Sequence, residues 1–220
     1  MNHASYACVL DVAITAPHRI AFQVPAGSVC KLIVSSRDRK NELLSLLTGL
    51  APPAAGSVQL LGEDLYAQDE SQRIAVFRRV GVVPEDGGLI SNLKMWENIL
   101  LPSAYHHAHR VEDVEPRVVA LFNDLYPDRR DLRSIMGKLP DQLSLRERRL
   151  TALVRAFLME PDLVIYDFVL AGMDREAAAR IVAATSEFQA QHRDRTSIYL
   201  CTDEGAYARV QADQTIELEH

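Results

Sequence analysis

The sequence predicts an α/β domain with an antiparallel opening, a parallel sheet and an inserted block of helices. Short apolar runs rich in β-branched residues alternate with segments of helical period, the pattern of strand–helix–strand units. Residues 6–16 and 19–24 predict two strands that turn at Ala16-Pro17. Residues 94–160 are mostly helical by period, which predicts the inserted block.

The composition limits the size and class of the protein. The chain has 220 residues, of which 48% are apolar and 25% charged, so it forms one large or two small globular domains. The net charge of −6 argues against a protein that coats nucleic acid. We expect no membrane-spanning segment, because apolar runs of about 18 residues are absent. The start of the sequence also lacks the pattern of a secretory leader.

The cysteines indicate a reducing compartment. Cys8, Cys30 and Cys201 are scattered and have no C-x-x-C spacing. Reduced core thiols explain this set better than a disulfide or a zinc site does. We therefore expect a cytoplasmic protein.

The elements of the first half follow from short local patterns. The run at 28–36 follows Pro25-Ala26-Gly27 and predicts a buried strand. The following helix is predicted over 39–50 and ends at Gly49 and Pro52-Pro53. Its apolar face is predicted to contain Leu43, Leu44, Leu46, Leu47 and Leu50. The next elements are predicted as a strand at 58–62, a polar helix near 69–79 and a strand at 80–83.

The second half begins with the helical block and ends with further strands. The block is predicted to break at Pro102, Pro127, Gly137 and Pro140. The run LVIYD at 163–167 predicts a strand that ends on a carboxylate. The remaining elements are predicted as a helix at 174–191, a strand at 197–202, a short helix and a last strand at 215–219.

The connection between the strand at 28–36 and the following helix lies where parallel sheets bind ligands. A phosphate-binding loop reads G-x-x-x-x-G-K-[ST] there, so that backbone N–H groups can surround the phosphates. The aligned residues 34–41 read VSSRDRKN and keep only the lysine, Lys40. Taken alone, this pattern indicates a solvated lysine at the start of a helix.

The order of the later segments changes that interpretation. The chain resembles the nucleotide-binding subunit of ATP-binding-cassette (ABC) transporters over essentially its whole length, in the segments 56–66, 79–102, 139–174 and 196–219. The stretch ENILLP at 97–102 most resembles subunits of lipid-handling transporters of the Mla or Mac type. The resemblance implies one domain with a P-loop NTPase-like core at 1–85 and 151–220, and a helical subdomain at 86–150.

The resemblance also implies which residues occupy the phosphate loop. The family's loop glycines fall on Val34, Arg37 and Arg39, and its phosphate-binding lysine falls on Lys40. Two arginines would crowd a loop that needs positive φ angles. Asn41 stands where the family has the hydroxyl that binds Mg²⁺.

Two further motifs are altered. Glu85 stands at the glutamine that senses Mg²⁺ and contacts the permease. The family signature LSGGQ reads LSLRE at 143–147, which keeps Ser144. Leu145 and Arg146 would obstruct the approach of a nucleotide held by an opposite subunit.

The hydrolytic residues are changed as well. Asp167 matches the Walker B aspartate that supports Mg²⁺ through water. Phe168 stands at the catalytic glutamate and cannot accept a proton or orient water. Thr202 stands at the switch histidine. We therefore expect no catalytic residue among these positions. Only residual nucleotide contacts are expected, from Arg37, Arg39, Lys40, Asn41, Glu85, Ser144 and Asp167.

The resemblance implies a degenerate ABC subunit with lost or strongly impaired ATP hydrolysis. It implies a structural or regulatory partner of a transmembrane permease, peripheral on the inner face of the membrane. The subunit is expected to form a homodimer or a heterodimer with an active ABC ATPase. We expect no resident cofactor and no nucleic-acid partner, although binding of ATP with Mg²⁺ stays open.

Two alternatives stay open: an active ATPase in which Asp203 or Glu204 activates the water, and a soluble adaptor that has left transport.

Other features have simpler interpretations. His106 and His109 are spaced i, i+3 but lack a matching carboxylate or cysteine, so an exposed helix end explains them better than a metal site. The charged run at 146–149 predicts a solvated helix face. Arg37, Arg39 and Lys40 form a basic cluster that suits an anion, or a solvated turn neutralised by its acidic neighbours.

Overall fold

The structure is a computed structural model that describes residues 5–15, 18–106, 111–126 and 132–218. Its strands are β1 (Tyr6–Thr15), β2 (His18–Pro25), β3 (Val29–Val34), β4 (Ala55–Leu60), β5 (Glu63–Asp64), β6 (Val80–Val83), β7 (Leu163–Asp167), β8 (Thr196–Cys201) and β9 (Gln214–Leu218). Its helices are α1 (Arg37–Leu47), α2 (Glu70–Phe77), α3 (Met95–His106), α4 (Val111–Leu125), α5 (Leu132–Met136), α6 (Leu145–Leu158) and α7 (Arg175–Ala190). Single 3₁₀ turns lie at Pro140–Gln142 and Gly205–Tyr207.

The strands form two sheets, as the predicted fold class requires. The antiparallel sheet has the order β2-β1-β4-β5, and the other sheet has the order β6-β7-β8-β3-β9. Every pair in the second sheet is parallel, so its strands end at one edge. That edge carries the loops after Val34, Val83, Asp167 and Cys201, and ligands bind at such an edge in parallel sheets.

Two apolar clusters fill the interior on opposite faces of β7. Leu163 and Ile165 belong to a cluster with residues of α1 and the antiparallel sheet, which we name the sheet cluster. Val164 and Tyr166 belong to a cluster with residues of α3, α4, α6 and α7, which we name the helical cluster. The strand is buried on both faces, which explains why its sequence is a continuous apolar run.

The predicted break at Pro102 is wrong, because this proline lies inside α3. A proline removes one hydrogen bond from a helix interior and costs about 3 kcal/mol. The helix persists because Met95 and Ile99 are fully buried in the helical cluster, which offsets this cost.

The predicted place of Leu50 on the apolar helix face is also wrong. The helix α1 ends at Leu47, and Leu50 is 80% exposed. Gly49 lies two residues after the end of α1 and has a φ angle of +72°, a left-handed conformation that commonly ends helices.

Within the described part of the chain, no helix is both long enough and apolar enough to cross a membrane.

The three cysteines are buried and free, as their spacing predicts. Burial raises the pKa of Cys30 to about 12 and that of Cys201 to about 11, and burial likewise raises the pKa of Cys8. A buried neutral thiol is a poor nucleophile, because the thiolate is the reactive form.

We therefore expect the folded protein to react with Ellman's reagent at pH 8 at least about 100-fold more slowly than the unfolded protein. The control is the protein unfolded in guanidinium, whose three thiols should release three equivalents of nitrothiobenzoate from the reagent. Rapid release of one equivalent from the folded protein would contradict this expectation.

Candidate functional site

The edge where the parallel strands end brings several predicted residues together. A cleft of about 490 Å³ opens there, between the start of α1, the loop after β6 and the start of α6. Among its lining residues are the predicted Arg37, Lys40, Asn41, Glu85 and Asp167. The predicted Arg39, Ser144 and Thr202 are not among the residues that line it.

Lys40 lies at the base of this cleft and is only 4% exposed. Its Nζ lies 2.9 Å from Oδ1 and 3.0 Å from Oδ2 of Asp167. The same ammonium donates a hydrogen bond of 3.2 Å to Oε2 of Glu85. The interpretation of Lys40 as a solvated side chain is therefore wrong, because two carboxylates hold its charge inside the protein.

Glu85 connects this pair to Arg37 and to α6. Its Oε1 lies 2.8 Å from Nη2 of Arg37. Its backbone N–H donates to Oδ2 of Asp167 at 3.2 Å, and its carbonyl accepts from Nε of Arg149 at 2.6 Å. The four charged side chains of Arg37, Lys40, Glu85 and Asp167 thus form one continuous ion network.

The backbone before Lys40 forms a helix rather than a loop. The helix α1 begins at Arg37, after Ser36, whose side chain accepts from the N–H of Arg39 at 3.3 Å. All residues at 35–41 are described, and none of them has a positive φ angle. The expected crowding by Arg37 and Arg39 therefore does not arise, because both residues have ordinary helical positions.

The remaining charges on this first turn are partly paired. Nη1 of Arg39 lies 3.1 Å from Oε2 of Glu42. Asn41 is exposed, and its carbonyl accepts from Oγ of Ser45 at 2.8 Å. The predicted neutralisation of the basic turn by Glu42 is confirmed for Arg39, whereas Arg37 and Lys40 pair with residues from distant segments.

Phe168 directly follows Asp167 and covers the ion network. The side chain is 3% exposed and belongs to the sheet cluster. The centre of its ring lies 4.9 Å from Nζ of Lys40 and 5.7 Å from Cζ of Arg37, within the range of cation–π attraction. Its φ angle of +49° is unusual for a bulky residue, so the surrounding structure holds it there against backbone strain.

Ser144 has a local structural role as the N-cap of α6. Its hydroxyl accepts from the N–H of Glu147 at 3.2 Å, and its own backbone N–H donates to Oε2 of Glu147 at 2.8 Å. This reciprocal arrangement is a capping box, which satisfies the free N–H groups at the helix start. Leu145, the next residue, is 41% exposed and lines the cleft.

The prediction of a solvated face at 146–149 is wrong for two of its members. Glu147 is 3% exposed, and Arg149 is 2% exposed. Arg149 lies in the interior because its guanidinium donates to the carbonyls of Glu85 and Ala171. Burial lowers the pKa of Arg149, while the nearby carboxylates of Glu85 and Asp167 oppose that shift.

Thr202 and the acidic residues after it lie beyond the end of β8 and are exposed. Oδ1 of Asp203 accepts from the N–H of Gly205 at 2.8 Å. Oε1 of Glu204 lies 3.8 Å from Nζ of Lys31. Neither carboxylate is among the residues that line the cleft with Lys40.

A family profile with the description ABC transporter matches residues 17–169, which is most of the sequence. The chain belongs to the ABC transporter family. The predicted resemblance is therefore confirmed, and so is the fold that it implies.

Three curated ABC relatives have similar sequences. The methionine import ATP-binding protein MetN of Mannheimia succiniciproducens is 27% identical over 81% of this chain and 51% of the relative. A lipoprotein-releasing system ATP-binding protein, LolD 1 of Rhodopirellula baltica, is 29% identical over 78% of this chain and 73% of the relative. The intermembrane phospholipid transport protein MlaF of Escherichia coli K12 is 26% identical over 80% of this chain and 66% of the relative. The chain thus spans about half the length of MetN.

Solved ABC cassettes share the fold at low sequence identity. The protein cbiO1 of Clostridium perfringens has a TM-score of 0.75 and 17% identity, over 98% of this chain and 86% of that protein. The ATP-binding cassette MJ0796, solved as a dimer with ADP and phosphate, has a TM-score of 0.76 and 18% identity, over 97% of this chain and 93% of that protein.

Sequence reasoning missed the arginines through which α6 holds the loop after β6. Arg155 donates to the carbonyl of Gly87 at 3.2 Å and to that of Gly88 at 3.0 Å, next to the Arg149 contact with Glu85. The sequence of this chain does contain one signal for Arg149. The apolar residues Ala152 and Leu153 follow it at i+3 and i+4, which places Arg149 on the inward face of α6, and both are buried in the structure.

The expectation of no metal site stays a prediction. Among the residues that the structure describes, no group of three or more His, Cys, Asp and Glu side chains could hold a metal ion. The histidines at 107 and 109, and the side chain of His106, lie outside the described part of this ABC chain.

Proposed function

We propose that this chain is an ABC cassette that has lost ATP hydrolysis and acts as a structural or regulatory partner of a transmembrane permease or of an active ABC ATPase. The observation that carries the proposal is the buried ring of Phe168 over Lys40, directly after Asp167. A hydrolytic site needs a group there that accepts a proton or orients water, and a phenyl ring does neither.

The neighbouring carboxylates do not replace the missing base. Both oxygens of Asp167 lie within 3.0 Å of Nζ of Lys40. The carboxylate of Glu85 is shared between Lys40 and Arg37. Carboxylate oxygens that are already engaged by ammonium and guanidinium groups are not free to bind and orient an attacking water. Loss of a general base alone lowers rates by roughly 10²–10⁴-fold.

The residues at the nucleotide positions do not fit ATP with Mg²⁺. A phosphate loop surrounds its ligand with successive backbone N–H groups, which converge because the residues alternate between right-handed and left-handed or turn conformations. Here α1 begins three residues before Lys40, and Ser36 already caps the N–H of Arg39. Asn41 presents an exposed amide where a hydroxyl would bind Mg²⁺.

The transport role rests on the family and on the relatives. MetN, LolD and MlaF are ATP-binding proteins of methionine import, lipoprotein-releasing and intermembrane phospholipid transport systems. The proposed location is the inner face of a membrane, with a permease as partner and with a second cassette as homodimer or heterodimer partner. The relatives differ in cargo, so the lipid-handling resemblance of 97–102 stays a prediction.

An active ATPase is the second candidate, and one observation favours it. Lys40 and Asp167 keep the positions of the phosphate-binding lysine and the Walker B aspartate. Nζ of Lys40 lies 2.9 Å from Oδ1 of Asp167. In that case Asp203 or Glu204 would have to act as the base, after a movement that brings its carboxylate into the cleft.

Phosphate release from ATP and Mg²⁺ by the purified chain tests the two candidates. We expect a rate equal to the background, and no change in Asp203→Asn or Glu204→Gln. An active ABC ATPase measured in parallel is the positive control. Turnover that disappears in Lys40→Arg, in a variant that still unfolds cooperatively, would overturn the proposal.

Purification of the tagged chain from membranes tests the partner. Recovery of a transmembrane permease with the chain is expected. Recovery without a membrane protein would favour the soluble adaptor instead.

A further inference from the structure

The side chain of Glu85 bridges the two cations of the cleft. Its Oε1 lies 2.8 Å from Nη2 of Arg37, and its Oε2 lies 3.2 Å from Nζ of Lys40. A phosphate group binds such donors in the same way, with one oxygen on each. The carboxylate thus satisfies the donors that an external oxyanion would need.

The backbone holds this carboxylate in place from both sides. The N–H of Glu85 donates to Asp167 at 3.2 Å, and its carbonyl accepts from Arg149 at 2.6 Å. Two residues later the loop passes so close to α6 that a Cβ on Gly87 would lie 2.7 Å from the carbonyl oxygen of Arg148. A group fixed in this way competes at a high effective concentration, because little freedom is left to lose on contact.

The charges that line the cleft are balanced. Three cations, from Arg37, Lys40 and Arg149, stand beside three carboxylates, those of Glu85, Asp86 and Asp167. A phosphate group that entered would displace the Glu85 carboxylate but leave its negative charge a few ångströms away. Repulsion at that distance, in a partly buried cleft, weakens anion binding strongly.

We propose that Glu85 is a tethered anion that occupies the phosphate position between Arg37 and Lys40 and excludes external phosphate groups from the cleft. This inference rests on the proposed function only in taking the cleft as a former nucleotide site. It concerns binding rather than hydrolysis, and it assigns the exclusion to a single side chain.

The test is calorimetric titration of Glu85→Gln with inorganic pyrophosphate at low salt. The substitution keeps the size of the side chain and removes its charge, so we expect pyrophosphate to bind at least about tenfold more tightly than to the unaltered chain. Asp86→Asn is the matched control. It removes one charge from the same loop and from the lining of the same cleft, but the Asp86 carboxylate is exposed, screened by water, and accepts from the N–H of Gly88. The affinity of Asp86→Asn for pyrophosphate should stay within about twofold of that of the unaltered chain.

A parallel titration with ATP separates phosphate recognition from nucleotide recognition. An equal gain for pyrophosphate and ATP in Glu85→Gln supports the proposal. A gain for ATP alone overturns it, and so does an affinity that matches that of Asp86→Asn. Glu85→Ala provides a second variant if Glu85→Gln does not fold, with the same expected gain. ATP turnover by the unaltered chain would overturn the proposed function, whereas an unchanged pyrophosphate affinity would overturn only this inference.

Discussion

Replacing Lys40 with methionine should lower the free energy of unfolding by about 3–5 kcal/mol, the usual cost of removing one partner from a buried ion pair. Methionine fills the same space, so the loss comes from charge rather than from a cavity. Asp167 and Glu85 would remain beside each other, with side chains only 4% and 20% exposed and without the ammonium between them. Urea denaturation of the variant measures this effect.

Arg37→Met is the control for this substitution. Arg37 lies on the same helix and contacts the same Glu85, but its side chain is 67% exposed. Water screens such a pair, so we expect a loss of about 0–1 kcal/mol. A double variant with Asp167→Asn should recover part of the Lys40→Met loss, because it removes one uncompensated charge. Equal losses for Lys40→Met and Arg37→Met would contradict the buried network.

Replacing Arg195 with leucine should lower the free energy of unfolding by about 3 kcal/mol. Arg195 is 2% exposed, and its guanidinium donates to the carbonyls of Pro161 and Phe188. The guanidinium also lies 3.6 Å from the centre of the Phe188 ring, which stacks on Phe157. Leucine cannot donate a hydrogen bond, so two backbone carbonyls would lose a charged donor. The Phe188 ring would also lose its cation–π contact with the guanidinium.

The opposing effect is the desolvation of the Arg195 charge, which lowers its pKa and which leucine would relieve. We expect the lost hydrogen bonds to dominate, because the carbonyls belong to the backbone and stay in place. Arg193→Leu, at an exposed site in the same turn, should change stability by less than about 0.5 kcal/mol. An Arg195→Leu protein as stable as that control would mean that desolvation dominates.

Most strands, and their order along the chain, could be predicted from the sequence because their signals are local. The short run at 163–167 matches β7, a strand that is buried on both faces and therefore almost wholly apolar. The run at 80–83 matches β6, which is buried on one face and half-buried on the other. The break expected at Pro102 was wrong because burial against distant residues outweighed a local preference. The two-residue strand β5 was not predicted at all, because so short a segment carries no period.

The site was predictable only as far as the topology determines it. Parallel strands that end at one edge explain why Lys40 and Asp167 meet, and this juxtaposition follows from their places after β3 and at the end of β7. The bridge from Glu85 to Arg37 depends on the path of the loop after β6. That path is determined by Arg149 and Arg155, which lie more than 60 residues later in the sequence. Such pairings leave no periodic or spacing signal in one sequence.

The division of the interior into two clusters gives each half its own optical or chemical label. Trp96 is the single tryptophan of the chain and packs against the helical cluster, so its indole fluorescence follows that half. Cys8 and Cys30 lie in the sheet cluster, whereas Cys201 lies in the helical cluster. In a Cys201→Ser variant, thiol labelling therefore follows the sheet half alone. Comparing the denaturation midpoints of the two signals measures whether the shared strand β7 transmits unfolding from one half of the molecule to the other.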